Sequence, residues 1–208
     1  MKTIYKNCLT ASIYHAVMTN IYPLLSYEQS WDGHNFSFQN SAGARGTITF
    51  ADEFCVGAIR NESVPPIFNL RATIMAGFPN SVIEKAEAES LQYLLTNNGG
   101  TVMPTVTSAF WADINGIYCS SDYKEALSRD IELFNWLVMP CEEAFVYWHD
   151  NYECMPETTA LIEYLINEKM KDFSKKVILG DTLVKALPGN GIDPECEESL
   201  SELNIFLV

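Results

Sequence analysis

Three histidines, six cysteines and 27 carboxylates are the groups with which this chain of 208 residues could do chemistry. His149 is the best placed of them. It shares a stretch of helical pattern with Glu142, Glu143, Asp150 and Glu153, and Glu153 follows it at i+4. That is the spacing of an ordinary pair on a helix surface. A dinuclear centre in a helix bundle needs Glu-x-x-His, but position 146 is Val. The His-Glu-x-x-His of zinc proteases is absent, and Cys141, His149 and Cys154 lack the close ligand pairs of a structural zinc site. His34 follows Trp31-Asp32-Gly33 in a turn, where an aspartate and a histidine two residues apart do not face each other as a dyad. His15 lies among aromatic residues of the first helix and reads as a satisfied core or boundary histidine.

Nucleophile and phosphate motifs fail as well. There is no Gly-x-Ser-x-Gly, and Gly43-Ala44-Arg45-Gly46 is too short for a Walker loop and lacks its Lys-Ser/Thr. Adjacent carboxylates such as Glu142/Glu143 and Glu197/Glu198 say little in a chain this acidic. No catalytic residue, metal ligand or cofactor-binding residue is assigned, and no cofactor is expected. The reading is therefore a non-enzymatic binding module. Two alternatives stand beside it: an enzyme whose site is built from ordinary residues such as His149, Glu142 and Asp113, and a scaffold protein.

The elements that must carry these residues run helix, then strands, then mostly helices. Residues 3–22 have the spacing of an amphipathic helix, closed by Pro23. Phe36/Phe38, Ile48/Phe50 and the apolar run Phe54 to Ile59 read as three strands of an antiparallel meander, the third being the most buried. Residues 82–96 read as one long helix, opened by a capping box at Ser81 and Glu84 and stopped by Asn97-Asn98-Gly99-Gly100. Residues 101–111 read as a fourth strand, with Pro104 assigning it to an edge. Further helices are expected at 123–138, at 141–152 after Pro140, from Pro156 to about Lys171, and over Asp193 to Glu202. The apolar end Ile205–Val208 is expected to dock on the core. The fold class is α+β, with an antiparallel sheet of about four strands flanked by helices in a single domain over 1–208.

Net charge is −14, which argues against a nucleic-acid ligand, because phosphate binding needs clustered Lys and Arg. The charge is uneven: residues 141–208 hold 14 acids against 5 bases. Dispersed cysteines with no C-x-x-C pair read as reduced thiols. No run of 18 apolar residues occurs, so a cytoplasmic protein without a membrane partner is expected. Glu195, Glu197, Glu198 and Glu202 would give the C-terminal third a negative field toward a basic protein partner. Trp31 and His34, in the turn into the sheet, are the other candidate contact residues. The same turn also reads as plain hairpin chemistry, with Asp-Gly making the turn and Trp capping the core.

The run Ser30-Trp31-Asp32-Gly33-His34-Asn35-Phe36, then Arg45-Gly46-Thr47-Ile48-Thr49-Phe50, then Cys55-Val56-Gly57-Ala58-Ile59, resembles the hairpin region of bacterial immunity proteins of polymorphic or contact-dependent toxin systems. Ala109-Phe110-Trp111 is similar to that group too. The likeness covers about a third of the chain. It implies an inhibitor that binds one cognate toxin domain, and it supplies no binding residues.

Overall fold

The computed structural model describes residues 1–208. The α+β class holds. The chain, expected as one domain, clusters by contact into two compact units: Met1–Lys2 with Asp32–Asn135, and Thr3–Trp31 with Trp136–Val208.

The first unit is organised by the sheet. Strands β2 (Asn35–Gln39), β3 (Ala44–Phe50) and β4 (Cys55–Asn61) follow one another, and β7 (Ser108–Ala112) and β8 (Ile117–Tyr118) complete the order β1-β2-β3-β4-β7-β8, in which β1 (Gln29–Asp32) gives this unit only Asp32. The pairs from β2 through β8 are antiparallel. The sheet thus has six strands where about four were expected, and the additions are the short edges β1 and β8. Every residue of β4 is buried, as its unbroken apolar run requires.

One face of the sheet sends Val56, Ala58 and Ala109 into a core with Val82, Ile83 and Ala86 of α2 (Asn80–Ala88) and with Leu91 and Leu94 beyond it. The opposite face carries Phe36, Phe38, Ile48 and Phe110, and Phe38 meets Phe134 edge-on at 4.6 Å. Two glycines make room for these rings. A Cβ at Gly46 would overlap the Phe38 ring, and one at Gly57 would overlap the Phe110 ring, each being the cross-strand partner of its phenylalanine.

Residues 82–96 do not form one helix. The α-helix ends at Ala88, residues 90–94 make a 3-10 turn, and β5 (Leu95–Asn98) pairs with β6 (Thr101–Pro104) in a separate hairpin. Gly99 and Gly100 both have positive φ and turn that hairpin, so they do not stop a helix. Ser81 lies inside the helix, Pro79 precedes its first residue, and no side chain caps it. The expected fourth strand splits likewise into β6 and β7. Residues 124–132 form α3, followed by a 3-10 turn at 135–137.

The second unit is built on α1 (Lys2–Met18). It was expected to be amphipathic, yet it is buried on nearly every side from Asn7 to Met18, and it ends before Pro23. Around it lie α4 (Cys141–Tyr152), α5 (Pro156–Lys171), β9 (Val177–Leu179), α6 (Asp181–Val184), α7 (Pro194–Glu202) and β10 (Ile205–Leu207). The last residues pair in parallel with β9, Ile205 opposite Val177. Asn7 donates to the Leu137 and Met139 carbonyls at 3.3 and 2.9 Å, tying α1 to the chain that leads into α4.

Candidate functional site

The acidic residues read from the sequence come together on α7. Pro194 opens the helix, and the Asp193 carboxylate accepts from the Glu195 amide at 3.0 Å as its cap. Asn20 fixes the start of the helix. Its Oδ1 accepts from the Asp193 amide at 2.8 Å, and its Nδ2 donates to the Pro188 and Gly191 carbonyls at 2.6 and 2.9 Å. Cys196 and Leu200, four residues apart, turn inward with Leu203. This leaves Glu195, Glu197, Glu198 and Glu202 in solvent on a helix without a lysine or arginine. Glu195, Glu197 and Glu198 make no ion pair. Glu202 is engaged: its carboxylate accepts from the Trp31 amide at 3.2 Å. A groove of about 440 Å³ runs beside the helix, lined by Glu197, Glu198, Ser201, Ile205, Phe206 and Leu207. The Lys176 ammonium sits 4.4 Å from the centre of the Phe206 ring.

Trp31 is not a surface group. It is only 8 % exposed, its indole donates to Ser12 Oγ at 2.7 Å, and it packs on Phe173 and Tyr5. Of the two sequence readings of Trp31, a tryptophan that caps the core is the one its burial matches, since Ser12 satisfies the polar end and the two rings enclose the rest. His34 is exposed in the tight turn after β1, where Gly33 takes a positive φ.

The residues considered for catalysis are divided between the two units. Asp113 lies in the first unit, where its carboxylate accepts from the Asn115 and Gly116 amides and holds its own turn. His149 and Glu142 lie in the second, and the recorded partner of His149 is its neighbour Asp150, at 3.2 Å. His15 is buried and fully bonded. Leu25 O accepts from Nε2 at 2.6 Å, so Nε2 carries the proton, and Nδ1 accepts from the Tyr152 hydroxyl at 3.0 Å. Burial lowers its pKa to about 4. Lys169 is just 1 % exposed. It donates to the Lys175 carbonyl at 2.7 Å and faces the Phe173 ring, and burial lowers its pKa to about 8.

The cysteines are single thiols, with Cys8, Cys55 and Cys196 buried. Burial raises the Cys55 and Cys196 thiols to about 12, far from the thiolate a nucleophile needs. No group of three His, Cys, Asp or Glu side chains is arranged to hold a metal ion, and no helix is long and apolar enough to cross a membrane.

The sequence reading missed one depression altogether. It is a groove of about 530 Å³ among three helices of the second unit. Lys6 and Thr10 of α1 form its floor, Phe145 and Val146 of α4 one wall, and Glu163 and Ile166 of α5 the other. The signal was present in α4, whose Val146 and Tyr147 break an otherwise polar outer face. No family model, no curated protein and no solved structure matches the chain.

Proposed function

We propose that the chain is a non-enzymatic protein-binding module, an immunity protein that binds and neutralises a basic toxin domain. The observation that carries this reading is the outer face of α7, where Glu195, Glu197 and Glu198 stand in solvent with no ion pair of their own. Unpaired carboxylates on a rigid, capped helix concentrate negative potential without internal neutralisation, which favours encounter with a basic surface. The adjoining groove adds apolar area from Phe206 and Leu207 that a partner side chain could cover. The resemblance of the hairpin region to immunity proteins supports the same reading.

The test is direct. The protein encoded by the neighbouring gene is purified, and its association with this chain is followed by stopped-flow fluorescence at rising salt. Nanomolar binding together with loss of the neighbour's toxicity upholds the proposal. The absence of any complex, or turnover of a small molecule by this chain, overturns it.

A further inference from the structure

We infer that the groove among α1, α4 and α5 docks a basic amphipathic helix of a partner protein. This is a second surface, distinct from α7, and it stands whether or not the chain inhibits a toxin. The groove has the geometry of a seat for a helix. Its α4 wall is formed by Cys141 with Phe145 and Glu142 with Val146, both pairs at i+4, and its α5 wall by Glu163, Ile166 and Asn167. Rows of side chains at that spacing are the ridges between which a third helix packs. On the other side of the Glu142–Val146 ridge lies a second depression of about 440 Å³, lined by Met139, Glu143 and Tyr147 as well. A ridge crested by Val146 with a hollow on each side suits the i, i+3, i+4 anchors of a helix lying across it.

Exposure and charge identify the occupant. Val146 is 54 % exposed at the crest of α4, and its neighbour Tyr147 is exposed beside it. Glu142, Glu143 and Glu163 ring this apolar strip, all three exposed and none in an ion pair. α4 carries no lysine or arginine, and Lys6 on the floor is the groove's one base. Apolar anchors flanked by lysine or arginine complement this pattern, whereas an acidic or neutral helix would leave the carboxylates unmatched. Cys141 adds no chemistry here, because burial keeps its thiol above the ordinary range even with Lys6 beside it.

The probe is a fluorescently labelled leucine–lysine peptide with its leucines at i, i+3, i+4 and i+7. Its binding to the full chain is read by anisotropy. Two controls accompany it: the same composition scrambled to destroy the amphipathic face, and a leucine–glutamate peptide of the same pattern. The amphipathic basic peptide should bind at least about tenfold more tightly than either control. Val146→Arg, at an exposed position that leaves folding intact, should weaken it about tenfold. Glu142→Gln with Glu163→Gln should weaken it about threefold and flatten its salt dependence. The α7 change Glu195→Lys, Glu197→Lys, Glu198→Lys should leave it largely unaltered. Equal binding of the scrambled peptide, or indifference to Val146→Arg, overturns the inference. So does loss of binding in the α7 variant, which would place the peptide there, or a self-associated chain that Val146→Arg turns into monomer, which would make a second copy the occupant.

Discussion

The Thr107 hydroxyl donates to the Asp130 carboxylate at 2.6 Å, in a place where neither side chain meets bulk water. Asn61 Nδ2 donates to the same carboxylate at 3.2 Å, and Arg129 pairs with it at 2.9 Å from a half-exposed position. The Asn61 amide closes the network by donating to Thr107 Oγ1. A helix carboxylate thereby joins α3 to β4 and to the residue leading into β7. Removing it would leave the Thr107 hydroxyl and the Asn61 side-chain amide without their charged partner in low dielectric. Asp130→Ala is expected to destabilise the first unit by about 3–4 kcal/mol, and Thr107→Val by about 1–2 kcal/mol. Urea unfolding followed by circular dichroism tests this, and a midpoint unchanged in Asp130→Ala would refute it.

His15 gives a pH prediction. It is neutral when folded and its pKa is lowered to about 4, while in the unfolded chain it takes up a proton near 6.5. Between these values the unfolded state binds more protons, so stability is complete above 6.5 and is lost as pH falls toward 4. The loss amounts to roughly 3 kcal/mol. Glu28, which acts on Tyr152, has its pKa raised by burial, so there the folded state takes up the proton first and its contribution runs the opposite way. The measurement is therefore the difference between wild type and His15→Gln, a change that can donate to Leu25 O and accept from Tyr152. The variant should show a flatter stability profile over this window. Parallel profiles would mean that His15 is not the group responsible.

The two glycines under the phenylalanine rings should behave differently. At Gly57 the three nearest atoms to a new Cβ all belong to Phe110, a side chain that can be shortened. Gly57→Ala should cost about 1–3 kcal/mol, and Phe110→Leu in the same chain should recover about 1 kcal/mol of it. At Gly46 the Cβ would also lie 2.9 Å from the Ala58 carbonyl oxygen, which the sheet holds in place. Gly46→Ala should therefore resist rescue by Phe38→Leu. Thermal melts of the six single and double variants decide the matter, and equal rescue at both sites would count against the geometry.

For the proposed partner, association should slow markedly as salt rises while dissociation changes less. Replacing Glu195, Glu197 and Glu198 by lysine should lower the on-rate about tenfold. Glu202 is left unchanged because it accepts from the Trp31 amide. The unfolding midpoint should stay within error of wild type, since exposed unpaired charges contribute little stability. A salt-independent on-rate would remove α7 from the interface.

The elements legible in the sequence were those with local punctuation. Pro140, Pro156 and Pro194 mark where α4, α5 and α7 start, and alternation marks β2 and β3. The misreading of 82–96 has a tertiary cause. Ile83, Ala86, Leu91 and Leu94 all face inward, as a longer helix would place them, but the sheet captures the chain at 89–90. The Ser90 hydroxyl lies 2.6 Å from Thr49 Oγ1 and donates to the Val56 carbonyl, and Asn35 donates to the Glu89 carboxylate. Those partners are 34 to 54 residues away, beyond the reach of any local pattern. The acidic face of α7 could be read from composition because a single helix carries it. The α1–α4–α5 groove could not, since its walls and floor come from three separated stretches of chain. Trp31 was legible as an aromatic beside a turn. Its burial depends on Ser12, which nothing local announces.

The second unit joins Thr3–Trp31 to Trp136–Val208, with the residues between them belonging elsewhere. On the ribosome, α1 is made before its packing partners and waits for them through the synthesis of the residues between. At typical elongation rates that interval is on the order of 10 s or more. Throughout it, a helix destined to be enclosed on nearly every side offers Ile4, Leu9, Ile13 and Val17 to whatever is near. A nascent chain of this order is a natural client for a holding chaperone at α1. Release should then await the synthesis of α4 and α5, the helices that flank it.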